Sequence, residues 1–206
     1  MLEGTGEVRL FGDWDRFCIV TQLDEHYCGV WLNGELFYRI DGQDFGNRYG
    51  GVSLRDALYI SEYIVETKEK RINKTLYDMA YERIFALIDD AIYGDNDELF
   101  QYIDENVFAG DFSISINVQS MLGTKIFAVS YNGKTKIVYC KSDDHKISGL
   151  VFDDESIDHA FRKNYEYLKS LHDKEVEKAA LESEISLPLR CLTDNEAKDQ
   201  PFKKGG

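Results

Sequence analysis

Three groups of residues have the types that chemistry would need, and their spacing decides against each. His26-x-Cys28 and the pair Cys140 and His145 together offer two nitrogens and two sulfurs, the donor set of a zinc site. Their spacings match no standard zinc pattern, so surface histidines and packed thiols are the simpler reading. Asp95-Asn96-Asp97-Glu98 is rich in oxygen ligands. A calcium loop starting there needs Gly at its sixth position and Glu at its twelfth, and this sequence has Phe100 and Asn106. The glycines of Gly4-Thr5-Gly6 and of the Gly46–Gly51 loop are not followed by the Lys-Ser/Thr of a phosphate cradle. No serine elbow or H-E-x-x-H motif occurs. Carboxylate pairs abound, but nothing singles out one placed across a substrate cleft. No catalytic residue, metal or cofactor is expected.

What stands out is a distribution of charge. The 206 residues carry 38 Asp and Glu against 24 Lys and Arg, a net charge of -14. A field of this sign repels nucleic acid and anionic membranes and attracts basic proteins, although acidity for solubility alone is the bland alternative. The excess is uneven. Between Arg83 and Lys125 there is no cation, and that window holds Asp89, Asp90, Asp95, Asp97, Glu98, Asp104, Glu105 and Asp111. Like charges so close cost stability, and docking of something basic would explain them. Asp95, Asp97 and Glu98 have an alternative reading as dipole partners at a helix N-terminus. Tyr93, Phe100, Tyr102, Phe108 and Phe112 are interleaved, some for the core and one or two as interface anchors.

The elements that position these residues follow from periodicity. Apolar, β-branched runs predict strands over 16–23, 27–32 and 35–40, with hairpin turns at Asn33-Gly34 and Asp41-Gly42. Ser53, with Asp56 three residues on, predicts a capped helix to about Lys68, closed by Lys68, Lys70 and Arg71 at its negative end. Leu76, Met79, Ala80, Ile84, Ile88 and Ala91 predict a second helix over 75–93 that Gly94 stops, and 98–107 reads as a short third. Phe112, Ile114, Ile116 and Val118 alternate with polar residues as in a half-buried strand. Strands over 125–131 and 136–141 flank Asn132-Gly133, a fourth covers 146–152, and a helix starts at Asp154 and continues weakly through Glu182. The grouping is α+β, with antiparallel N-terminal and C-terminal hairpin regions packed with three to four helices. Residues 7–182 are expected to form one domain, with 1–6 loose and 183–206 a loosely held polar tail. The two hairpin regions can be halves of one sheet or separate lobes. The opening MLEGTGEVRL lacks a secretory pattern and no run is apolar enough to span a membrane, so a reducing cytoplasm with free thiols is expected.

Residues 11–19 (FGDWDRFCI), 27–34 (YCGVWLNG), the Gly-rich loop leading into 53–58 (SLRDAL) and 130–139 (SYNGKTKIVY) resemble the immunity protein 42 family of bacterial polymorphic-toxin systems, over roughly residues 9–170. The resemblance implies a non-enzymatic cytoplasmic antidote that binds a cognate toxin domain from a secreted or contact-delivered effector and blocks it. The family's recurrent Trp corresponds to Trp31, assigned to packing over contact; Phe11 and Gly12 read as fold residues. The family suggests no inhibitory residue, so the eight acidic residues of the window are the expected toxin-binding set. A nuclease toxin, an RNase in preference, would present the basic cleft that such a surface complements. The rival readings are a regulatory or structural interaction module and a small hydrolase. The latter needs a concave pocket with convergent polar groups and a carboxylate or His of shifted pKa.

Overall fold

The computed structural model describes residues 6–140 and 146–193. The chain runs β1 (Val8–Asp13), β2 (Phe17–Leu23), β3 (Asn33–Ile40), β4 (Gln43–Phe45), β5 (Val52–Ser53), α1 (Leu54–Glu66), α2 (Lys74–Tyr77), α3 (Tyr81–Tyr93), β6 (Lys125–Tyr131), β7 (Lys134–Cys140), β8 (Ile147–Asp153) and α4 (Asp154–Thr193). The fold is α+β with antiparallel sheets. The first sheet has the order β1-β2-β3-β4, with β5 also paired to β3; the second is the meander β6-β7-β8. The hairpin regions are therefore separate sheets.

Both are tied into one apolar cluster. Phe17, Tyr38 and Ile40 from the first sheet meet Ile126, Ile137 and Tyr139 from the second, with Leu54 and Ile64 of α1 and Phe161 and Leu168 of α4. The alternate residues of the second sheet, Phe127, Val129 and Val138, pack on the far side against Ile84, Phe85 and Ile88 of α3. This sheet is thus buried on both faces. A polar relay runs through the first core: Thr21 donates to Asn164 Oδ1 at 2.8 Å and Asn164 Nδ2 donates to Ser61 Oγ at 3.3 Å, all fully buried. It ties β2, α4 and α1 together.

The Asp41-Gly42 and Asn132-Gly133 turns form as expected, all four residues having positive φ between 50° and 72°. The hairpin expected at Asn33-Gly34 does not form. Both residues lie in β3, and 27–32 is not a strand but a loop with a 3-10 turn at Gly29–Trp31, entered and left through left-handed Cys28 and Leu32. The tertiary gain is the burial of Leu32. Gly34 is glycine because a Cβ there would collide with the Gln22 carbonyl and the Leu54 side chain, not because the chain turns.

The helix expected over 75–93 is broken at Asp78–Ala80 into α2 and α3. Lys136 of β7 donates to the carbonyls of Tyr77 and Met79, which a continuous helix would have used itself. Gly94 ends α3, but in an extended conformation. The helix expected over 98–107 shrinks to a 3-10 turn, Glu98–Gln101. The 112–119 segment keeps its alternating burial without joining a ladder. The buried Tyr38 hydroxyl instead donates to the Ile114 carbonyl at 2.8 Å and accepts from the Ile116 N–H at 3.2 Å. Strand β1 lies in a stretch where none was expected, and α4 continues past Glu182 to Thr193. Of the polar tail, 194–206 lie outside the described residues, as do 1–5.

Candidate functional site

Ser53 caps α1 as expected, its hydroxyl accepting from the Asp56 N–H. The cations that follow α1 form a 3-10 turn, Lys68–Arg71. Arg71 is buried and donates to the Ile64 carbonyl at 3.0 Å, where the helix dipole is negative. From this turn the chain passes through α2 and α3 into the cation-free window.

The structure divides the eight acidic residues of that window into three groups. Asp90 on α3, Asp95 and Asp97 in the loop after it, and Asp104 and Glu105 in the next loop are exposed, and none forms an ion pair among the described residues. Asp97 stands at the N-cap position of the Glu98–Gln101 turn without a side-chain capping bond, and Glu98 lies in its first turn. Asp89 and Glu98 are partly covered and neutralised: Asp89 meets Lys125 at 2.6 Å, and Glu98 pairs with Arg83. The cations at the edges of the window, Arg83 and Lys125, thus fold back onto it.

Asp111 is not on the surface at all. It is fully buried, accepting from the Tyr63 hydroxyl at 2.5 Å and the Phe108 N–H at 2.8 Å, with Lys70 Nζ at 3.3 Å. It braces the 109–112 turn against α1. Burial, with this contact adding, pushes the Tyr63 phenol up to about 12.

Among the interleaved aromatics, Phe112 is core and Tyr102 half-buried, while Tyr93, Phe100 and Phe108 are exposed. Lys125 and Lys70 lie over the Tyr93 and Phe108 rings, at 4.6 and 5.4 Å from their centroids. Trp31 departs from its expected packing role. It is half-exposed, and the Arg55 guanidinium lies 3.8 Å above its ring centroid. Gly12 does act in the fold: its φ is +114°, and a Cβ there would strike the Phe17 carbonyl. Phe11 packs on Tyr167 of α4.

The hydrolase reading asks for a pocket and a shifted group together. A concavity of about 550 Å³ is lined by Asp24, Asn33, Ser53, Asp56, Asn117 and Gln119 among others. Burial, with Asp24 adding, pushes the carboxyl of nearby Glu35 up, but Glu35 does not line that space. A second hollow of about 800 Å³, at the start of α4, holds Asp13, Arg16, Asp153, Glu155 and His159. There Lys134 holds the Asp153 carboxyl below its ordinary value. Neither place joins a raised carboxylate to a pocket. Among the described residues no three His, Cys, Asp or Glu gather as a metal would need. Cys28 is exposed, and His145 lies outside the described residues. No helix among them is long and apolar enough to cross a membrane.

Comparison with known proteins adds two likenesses. The model of a family described as immunity protein 42 matches residues 1–173. A crystal structure of CdiI from Burkholderia dolosa AUO158 has the same fold, at a TM-score of 0.58 and 18% identity, over 75% of this chain and 97% of that one. No curated protein sequence matches the chain.

Proposed function

The chain belongs to the immunity protein 42 family, and from that premise we propose that it binds and neutralises a cognate toxin domain delivered by a neighbouring bacterium. The toxin is a nuclease, an RNase in preference, and the chain occludes its basic active site without catalysis of its own, in the cytoplasm of the cell it protects. Residues 7–182 are the working unit.

One observation carries the nature of the partner. Asp90, Asp95, Asp97, Asp104 and Glu105 stand exposed and, among the described residues, without ion pairs on a stretch that has no cation of its own. A cleft that holds a polyanion must be basic, so a surface that repeats the polyanion's charge competes for it. The likeness to CdiI supports the fold on which this surface is built. Asp89, Glu98 and Asp111 support it from within, through Lys125, Arg83 and Tyr63.

The test reverses the free charges alone. Asp90, Asp95 and Asp97 are replaced by Lys together, and binding to the toxin domain encoded beside this gene is measured across a salt series. Association should slow by about tenfold or more at low salt, with a flatter salt dependence. Unchanged association and unchanged salt dependence would place the partner elsewhere.

A further inference from the structure

Helix α1 buries Leu54, Ala57, Leu58, Ser61 and Ile64. At about 100° per residue, Tyr59 and Tyr63 fall on the opposite side, one turn apart. A solvent-facing pole ordinarily carries charge. Here it carries two rings that are 53% and 44% exposed.

The row continues beyond both ends of the helix. One turn before Tyr59, Arg55 lies over the Trp31 ring, which is 49% exposed. One contact beyond Tyr63, Asp111 takes the Tyr63 hydroxyl on one oxygen and the Phe108 N–H on the other, and Phe108 is 59% exposed. Through Arg55 and Asp111, Trp31 and Phe108 are linked to the two ends of the Tyr59–Tyr63 pair on α1, a helix about 20 Å long.

The rings are also held in place. Ser53 Oγ donates to the Trp31 carbonyl at 3.2 Å, Tyr59 sits edge-on to His172 with centroids 6.2 Å apart, and Lys70 lies over Phe108. Pre-set aromatic anchors lose little entropy on binding, and Trp, Tyr and Arg are the residues that dominate interface energies.

We propose that this aromatic row is the docking surface for the toxin domain, whose Arg and Lys side chains lie on Tyr59 and Tyr63 as Arg55 and Lys70 already lie on Trp31 and Phe108. The proposal rests on the immunity reading above. Charge selects the occupant. Asp56, Glu62 and Glu66 flank the row on α1, and Asp104 and Glu105 lead into Phe108. A second copy, itself at net charge -14, would set these carboxylates against their own kind, whereas a basic partner is drawn to them and to the ring faces.

The test measures association and dissociation of the toxin domain encoded beside this gene. Tyr59→Ala and Trp31→Ala should each weaken binding by about tenfold or more, through faster release that persists at high salt. Tyr59→Phe keeps the ring face and should bind like the parent; Tyr59→Leu keeps apolar bulk without it and should not. Leu10→Ala, on the far face of the first sheet, should change nothing. If the parent binds and both alanine variants stay within about twofold of it, the docking surface is refuted while the immunity reading stands. If the parent does not bind, the immunity reading fails and takes the surface with it. A dimer of the chain alone that Tyr59→Ala dissolves overturns the choice of occupant.

Discussion

Replacing Asp111 by Ala should unfold the protein more easily rather than strip a charge from its surface. The carboxylate is fully buried and collects the Tyr63 hydroxyl, the Phe108 N–H and the Lys70 ammonium, while its own carbonyl accepts from the nearly buried Arg71 at 3.5 Å. Removing one partner from a buried ionic network costs about 3–5 kcal/mol. Tyr63 and Lys70 both reach water and can rehydrate, and Arg71 keeps the Asp111 backbone carbonyl, so only the Phe108 N–H loses its counterpart outright. That places Asp111→Ala near the lower end, about 3 kcal/mol, against a total stability of about 5–15 kcal/mol. Asp111→Asn keeps the shape and one acceptor but turns an amide donor toward existing donors, for about 1–2 kcal/mol. Urea unfolding followed by circular dichroism reads both, at constant slope. Tryptophan fluorescence is a poor probe, since Trp14 and Trp31 are already exposed when folded. A cost below about 1 kcal/mol for Asp111→Ala would refute the bracing role and return this residue to the surface set.

Asn164→Ala leaves the Thr21 and Ser61 hydroxyls facing each other across a gap in the core, and should cost about 2–3 kcal/mol in thermal unfolding. Gly46 has φ +101°, and a Cβ there would lie 2.6 Å from Met121 Sδ, so Gly46→Ala should lower the urea midpoint by the equivalent of about 2 kcal/mol. Tyr63 and Tyr165, bonded to Asp111 and Glu62, are both pushed up to about 12 from an ordinary 10.0. The folded state therefore favours the neutral phenols. Their contribution is complete below pH 10 and is lost as pH climbs from 10 toward 12. In that window stability should fall less steeply for the double Tyr63→Phe, Tyr165→Phe variant than for the parent.

Local chemistry made much of this fold legible, and contacts distant in sequence account for the errors. Asp41-Gly42 and Asn132-Gly133 turn because both residues of each accept positive φ. Asn33-Gly34 carries the same signature for a different reason, the close passage of Gln22 and Leu54, which no short window of sequence contains. The break between α2 and α3 is set by Lys136, more than fifty residues away. In the acidic window, the residues in loops are exposed as the charge pattern suggested. Asp111 differs because its neighbour Phe112 is core and pulls the turn inward. The aromatic row was present in the sequence but masked by its own periodicity. Tyr59 and Tyr63 are spaced four apart, and so resemble part of the buried stripe. Only when Leu54, Ala57, Leu58, Ser61 and Ile64 are placed together does the pair fall on the other side.

The two proposed surfaces would act over different ranges, which gives one molecule a use for both. A net field reaches about 8–10 Å into physiological salt and has no preferred geometry, so it gathers a basic partner without fixing it. Stacked rings act only at contact, so they fix a partner they cannot gather. Unpaired carboxylates brought to the centre of a dry interface would cost more in desolvation than they return. Asp90, Asp95 and Asp97 accordingly sit on exposed loops and a helix end, where they stay hydrated, while Trp31, Tyr59, Tyr63 and Phe108 form the aromatic row. The cations that contact these rings, Arg55 and Lys70, are already engaged, one with Trp31 and Asp56, the other with Phe108 and Asp111. Neither is left to repel a basic approach.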